Sequence, residues 1–181
     1  MMEDKTNNER RGGGLPLEIE RKYLIAYPDL ATLEANPNCV RVDIVQTYLK
    51  TAHPGESLRV RRWESGGQCR HIRTYKRKIT GMTRIELEED ISPEAYQALL
   101  AQADPDCRPI VKRRYRVSEN GLLYEIDVYP EWTDRAVLEI ELESEAQVVV
   151  LPDWVTVLRE VTEDPRYTNH ALARRDQPWP D

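Results

Sequence analysis

Charged side chains recur at every second position along one segment after another of this 181-residue chain. In "LEIERKYLI" (17–25), Glu18, Glu20 and Lys22 fall on one face of an extended strand while Ile19, Arg21 and Tyr23 fall on the other, because successive side chains of a strand point to opposite sides. The alternation returns as Arg59 and Arg61, as Thr74, Lys76 and Lys78, and as Arg84, Glu86, Glu88 and Asp90. It returns again as Lys112, Arg114 and Arg116, as Glu125 and Asp127, and as Glu139, Glu141 and Glu143.

The period of two predicts eight strands, over 17–26, 43–50, 57–64, 70–79, 83–91, 109–118, 121–129 and 136–143. Turn sequences such as "HPGE", "ESGGQ" and "SENG" separate them. Helices are expected at 28–36, after the Ser92 cap with Pro93 in the first turn, near 144 in "SEAQVVV", and over 165–174. Residues 1–15 are polar and end in a glycine run, which reads as a disordered leader; 16–175 read as a single domain and 176–181 as a tail.

A net charge of −6 argues against a non-specific nucleic-acid binder, which carries a basic excess. No apolar run is long enough to span a bilayer, so the expectation is a soluble, cytoplasmic protein without a membrane partner. Cys39, Cys69 and Cys107 are odd in number and lack a CxxC pair, and His53, His71 and His170 lie far apart. Reduced thiols and structural histidines are therefore expected, and no zinc site. Ser57 and Ser118 have no recognisable partner base for nucleophilic catalysis.

A solvated strand face tolerates mixed charges, Ser, Thr and Gln, but here each strand carries mainly one sign. Strands 17–26, 121–129 and 136–143 are acidic; 57–64, 70–79 and 109–118 are basic. Closing the sheet turns these faces toward one another across a lumen and leaves the apolar faces outward under helices. The predicted fold is thus α+β, mainly β, with eight strands that a closed barrel would wrap around the charge, and helices outside. Buried charge is costly unless paired or bound to metal or ligand. Carboxylates at i and i+2 suit a hard divalent cation, Mg²⁺ or Mn²⁺, and Arg and Lys suit phosphoryl oxygens. The lumen reads as a pocket for a polyanion with metal.

In the order of these motifs the chain resembles the CYTH domain, the triphosphate tunnel metalloenzymes. "LEIERKYLI" is similar to the family's ExExK signature, followed by "LRVRR", "RTYKR", "GMTRIELE", "VKRRY", "YEIDVY", "LEIELE" and "VTEDPRYTNHALA". The resemblance implies an eight-stranded antiparallel closed barrel, a triphosphate tunnel with a C-terminal helix near one mouth, and hydrolysis of inorganic tripolyphosphate. It also leaves room for a class IV-like adenylate cyclase, a thiamine triphosphatase or a non-catalytic polyphosphate-binding module, and is compatible with a homodimer. By motif, Glu18, Glu20, Glu139, Glu141 and Asp127 are the implied metal ligands. Lys22, Arg59, Arg61, Lys76, Arg84, Lys112 and Arg114 are the implied phosphate-binding residues. Glu18, Glu20, Lys22 and Glu141 are the implied catalytic groups, supported from further out by Glu86, Glu88, Glu125 and Tyr167.

Overall fold

The computed structural model describes residues 17–80 and 82–181, so the leader expected over 1–15 lies outside the described residues. Strands β1 (Leu17–Ala26), β2 (Cys39–Leu49), β3 (Glu56–Ser65), β4 (Gln68–Lys78), β5 (Thr83–Ile91), β6 (Ile110–Glu119), β7 (Leu122–Val128) and β8 (Arg135–Glu141) match the eight alternating segments. Their order is β5-β4-β3-β2-β6-β7-β8-β1, every pairing is antiparallel, and β1 pairs back to β5 to close the cylinder. The β6–β7 hairpin turns through Asn120 and Gly121, with φ of 52° and 77°. Positive φ at both central residues is what a tight hairpin with strand-compatible twist requires.

A ninth strand, β9 (Val157–Glu160), was not expected: four residues are too few to display alternation. It pairs with the C-terminal half of β1, from Tyr23 opposite Glu160 to Ile25 opposite Val157, whereas β5 pairs only with Leu17, Ile19 and the Glu18 between them. The same edge of β1 therefore changes partner along its length. At the changeover Glu20 N donates to Met82 O (3.3 Å), Lys22 N donates to Thr162 Oγ1 (3.1 Å) and Val161 N donates to Lys22 O (2.8 Å). No backbone polar group of this seam need go unpaired.

Three short helices flank the barrel. In α1 (Leu30–Ala35) Asp29 caps by accepting from Ala31 N (3.1 Å), in α2 (Pro93–Leu100) Ser92 accepts from Ala95 N (3.2 Å), and in α3 (Asn169–Ala173) Thr168 accepts from Ala171 N (3.1 Å). A 3₁₀ turn, Pro165–Tyr167, precedes α3, so the helix expected over 165–174 is split. The helix expected near 144 does not form. Gln147 N donates to Ser144 O (3.1 Å) in a single turn, and the chain then runs extended with Val149 and Leu151 packed on the barrel. Three successive β-branched valines resist helix and suit that extended course. No helix among the described residues is long and apolar enough to cross a membrane.

The outward faces form the main core: Ile19, Tyr23 and Ile25 of β1 meet Tyr115, Ile126, Leu138 and Ile140 beneath Leu33 of α1 and the 149–155 segment. A second core fills one end of the lumen itself. Leu24, Tyr48, Ile110, Tyr129 and Val137 are covered there by Val161, Tyr167, Leu172 and Ala173 of the C-terminal segment, with Trp132. Inward-facing positions are thus charged along most of the tunnel and apolar at its sealed end. Ile126 is fully buried under the outer core. Ile126→Ala is expected to lower stability by about 2–5 kcal/mol, read as a fall in the urea midpoint at unchanged m-value.

Candidate active site in the barrel lumen

Strand order sorts the inward charges by sign around the circumference. β4, β3, β2 and β6 are consecutive and carry Lys76, Arg59, Arg61, Lys112 and Arg114; β7, β8, β1 and β5 are also consecutive and carry Glu125, Asp127, Glu139, Glu141, Glu18, Glu20, Glu86 and Glu88. Lys22 and Arg84 are basic residues within the acidic arc. Between the arcs lies a cavity of about 1150 Å³.

The arcs neutralise each other. Lys76 Nζ reaches Glu18 (2.8 Å) and Glu86 (3.0 Å), Arg84 reaches Glu20 (3.0 Å) and Glu18 (3.7 Å), and Arg61 pairs with Glu88, whose Oε1 also accepts from Thr74 Oγ1 (2.9 Å). Lys22 Nζ reaches Glu139 (2.8 Å) and Glu20 (3.6 Å). Arg114 has the densest set, with Asp127 on Nε (2.6 Å), Glu139 on one terminal nitrogen (2.6 Å) and Glu125 on the other. At the floor Lys112 Nζ donates to Asp127 Oδ2 (2.5 Å) and to Asn169 Oδ1 (3.3 Å), which also accepts from the Tyr129 hydroxyl (2.9 Å).

These contacts set the protonation of the lumen. Burial opposes ionisation of Glu18 and Glu139, but the charge of Lys76 on Glu18, and of Lys22, Arg114 and Lys112 on Glu139, holds both carboxyls below the ordinary range. Glu86 goes the other way: burial, with Glu18 and Glu88 as like-charged neighbours, pushes it well above that range despite Lys76. Glu88, at the exposed end, is held down to about 2, because Arg61 and Arg59 outweigh its desolvation. Lys112 is lowered to about 8 by burial and by Arg114, against the pull of Asp127.

Most of the residues singled out by motif line this one cavity: Glu18, Glu20, Lys22, Arg59, Arg61, Lys76, Arg84, Glu86, Glu88, Arg114, Glu125, Glu139 and Glu141. Glu20 and Glu141 stand directly opposite each other across β1 and β8, as do Lys22 and Glu139. Glu141 is exposed at the mouth, whereas Glu139 is buried. Three of the motif residues do not line the cavity. Lys112 and Asp127 form its floor, each locked to the other and to further partners. Tyr167 lies in the apolar plug, its hydroxyl accepting from Arg159 (2.8 Å) and donating to Asp181 O (3.2 Å).

Arg116, on the same alternating face as Lys112 and Arg114, lines the cavity and pairs with Glu125 (3.1 Å). Thr74 and Gln46 belong to the lumen too, on Glu88 and Arg59 respectively; strand parity alone marks them, since neither is charged. Thr162 and Asn169 come from the C-terminal segment, where no period points inward. Arg59 Nε and Arg61 Nε are buried without a hydrogen-bond partner. Arg21 Nε and Arg108 Nε, which do not line the cavity, are in the same state, so what sets Arg59 and Arg61 apart is that both lie on one wall of the lumen.

Arg114→Met leaves Asp127, Glu139 and Glu125 short of their shared cation. It should cost about 3–5 kcal/mol in chemical denaturation, the range for breaking a buried ion pair from one side. The acid limb has a definite sign. Carboxyls with lowered folded-state values contribute stability that is complete above their unfolded value, near 4.5, and is lost as pH falls below it. The Tm is therefore expected to drop from about pH 4.5 downward, and Glu139→Gln should flatten that slope.

Comparison with known proteins agrees with this geometry. The CYTH domain profile matches residues 16–171. An inorganic triphosphatase of Nitrosomonas europaea is 35% identical over 161 residues, 86% of this chain and 96% of that protein. An inorganic triphosphatase of Acetivibrio thermocellus is 34% identical over 163 residues, covering 87% and 93%. Among solved structures, that of an inorganic triphosphatase superposes with a TM-score of 0.53 at 32% identity, over 86% of this chain and 93% of the other. A Pyrococcus horikoshii protein reaches 0.54 at 22% identity, over 71% and 80%, and so shares the fold. With a family profile spanning the whole barrel and relatives matched over nearly their full length, the chain belongs to the CYTH domain family.

Proposed function

We propose that the protein hydrolyses a phosphoanhydride bond of inorganic tripolyphosphate in this tunnel, with a divalent cation, Mg²⁺ or Mn²⁺. The observation that carries the reading is the division of the lumen into a cationic and an anionic arc with Arg59 Nε and Arg61 Nε left unpartnered. The two relatives named inorganic triphosphatases support it.

The donor set fits such a cation. Glu18 and Glu20 on β1 and Glu139 and Glu141 on β8 put carboxylate oxygens on adjoining strands, and oxygen-only donors select hard ions. Asp127 is a weaker candidate than its motif implies, since it is fully buried against Lys112 and Arg114 and does not line the cavity. A bound cation supplies charge neutralisation to the phosphate chain and lowers the pKa of coordinated water. The tunnel lining is already close to charge balance, so a polyanion entering it must bring compensating positive charge or displace carboxylates from their partners. Glu18, Glu20, Glu139 and Glu141 would hold a cation brought in with the triphosphate, and Lys76, Arg59, Arg61 and Arg114 would then be free to hold phosphoryl oxygens.

Arg59 and Arg61, two residues apart on β3, grip successive phosphoryl groups and align the chain along the lumen. Burial, with Glu18 and Glu88 as like-charged neighbours, raises the Glu86 carboxyl, a direction that eases its approach to a phosphate oxygen. Glu20 or Glu141 takes the proton of the attacking water; the water oxygen forms the new P–O bond, and the anhydride oxygen leaves with the other phosphate product. The apolar plug closes the far end, so substrate and products use the mouth at Glu141 and Glu88.

Phosphate release should be fastest from tripolyphosphate with Mg²⁺ or Mn²⁺ and much slower from ATP, thiamine triphosphate or pyrophosphate. Glu18→Gln should lower turnover at least a hundredfold while circular dichroism and the denaturation midpoint report a folded barrel. Cyclic AMP formation from ATP, or tight triphosphate binding without phosphate release, would overturn the assignment.

A further inference from the structure

Apart from the carboxylate wall, one group of metal-ligating side chains converges from two segments that the sequence keeps far apart, at the edge of the cavity where His170 and Tyr48 line it. Asp104 and Cys107 belong to the loop after α2, and His170 belongs to α3; one donor atom from each lies within 4.8 Å of the others. We propose that Asp104, Cys107 and His170 form a second metal site, one that takes Zn²⁺ and staples α3 to the 104–107 loop.

The loop is pre-shaped for this. Asp104 Oδ1 accepts from Asp106 N (3.0 Å), which leaves Oδ2 facing Cys107 Sγ at 3.8 Å. Asp104 N donates to Tyr48 O (2.9 Å) and Cys107 N to Asp104 O (3.1 Å), so the backbone carrying both ligands is fixed to the barrel. His170 lies with its ring 4.8 Å from that of Tyr48. Zinc bond lengths place tetrahedral ligand atoms about 3.3–3.8 Å apart. The exposed His170 ring has room to close the remaining distance by rotation.

The donor chemistry separates this site from the tunnel. A thiolate, an imidazole and one carboxylate suit Zn²⁺, whereas the tunnel's oxygen-only wall suits Mg²⁺ or Mn²⁺. Arg174 lies nearby, but its guanidinium is engaged by Asp176 (2.9 Å) and approaches Asp106 (3.9 Å), which offsets its charge. Partial burial and Arg174 lower the His170 value, a direction that favours the neutral imidazole. Burial, with Asp104, holds Cys107 as a thiol; coordination therefore breaks S–H, forms Zn–S and releases one proton to solvent. Ligand count leaves the fourth position to water. The staple would tighten α3, whose Asn169 holds Lys112 and Tyr129 at the tunnel floor.

The test is calorimetric titration of the full chain with Zn²⁺ in excess Mg²⁺, which occupies the carboxylate wall, alongside Co²⁺ spectra. Expected are one equivalent of Zn²⁺, release of a proton, a raised Tm and a thiolate-to-cobalt charge-transfer band. Cys107→Ser and His170→Gln should each weaken Zn²⁺ at least tenfold and abolish the Tm rise, with Cys69→Ser unchanged. Absence of saturable Zn²⁺ binding, or Zn²⁺ affinity unaltered in both Cys107→Ser and His170→Gln, would overturn the proposal. Neither result bears on triphosphate hydrolysis.

Discussion

Reciprocal neutralisation across the lumen is the interaction on which the rest of this structure depends. A barrel that turns glutamate, arginine and lysine rows inward places many charges where water is scarce, and each needs a partner in reach. The chain meets that demand by ordering its strands so that a contiguous cationic wall faces a contiguous anionic one. Arg114 shows the principle at its densest, with Asp127, Glu139 and Glu125 on a single guanidinium. The arrangement stabilises the empty tunnel and also stores the binding groups in a form that exchange can release.

The proposed function gives the near balance of both signs in the lumen a use. A purely basic tunnel would bind polyphosphate tightly but would have no carboxylate wall for a cation and would repel itself when empty. In the observed lining, basic groups on one arc are held by carboxylates of the other, as in Lys76 with Glu18, and Arg84 is held by Glu20. The two unpartnered guanidinium nitrogens, on Arg59 and Arg61, are the places where the internal pairing stops short.

The seam at β1 shows how the fold holds this lining in place. Glu18 lies where β1 pairs with β5, and Glu20 and Lys22 lie where that edge passes from β5 to β9. Closure at one end and divergence at the other let the C-terminal segment enter and seal the lumen with Val161, Leu172 and Ala173. The sealed end is apolar because the alternation itself changes there: on the inward face of β1 the series Glu18, Glu20, Lys22 continues as Leu24.

The eight strands and the charged face were legible in the sequence because a period of two is a local property: residues i and i+2 share a face whatever the strand meets next. The lumen-lining roles of Glu18, Arg59, Arg84 and Glu139 follow from the same parity. Other features depend on encounters between distant segments. β9 is four residues long and is defined by its pairing with β1, the segment after 144 lies along the barrel because Val149, Leu151 and Val155 find the outer core, and Lys112 with Asp127 sits beneath the cavity because Asn169 and Tyr129 close over them. Likewise, no spacing in the chain relates Cys107 to His170; only the return of α3 to the loop after α2 brings them together. The sequence by itself determined which faces are charged, through backbone geometry. Which charges meet, which end of the tunnel closes and which thiol finds an imidazole were decided by tertiary structure, since those depend on long-range chain return that no local period encodes.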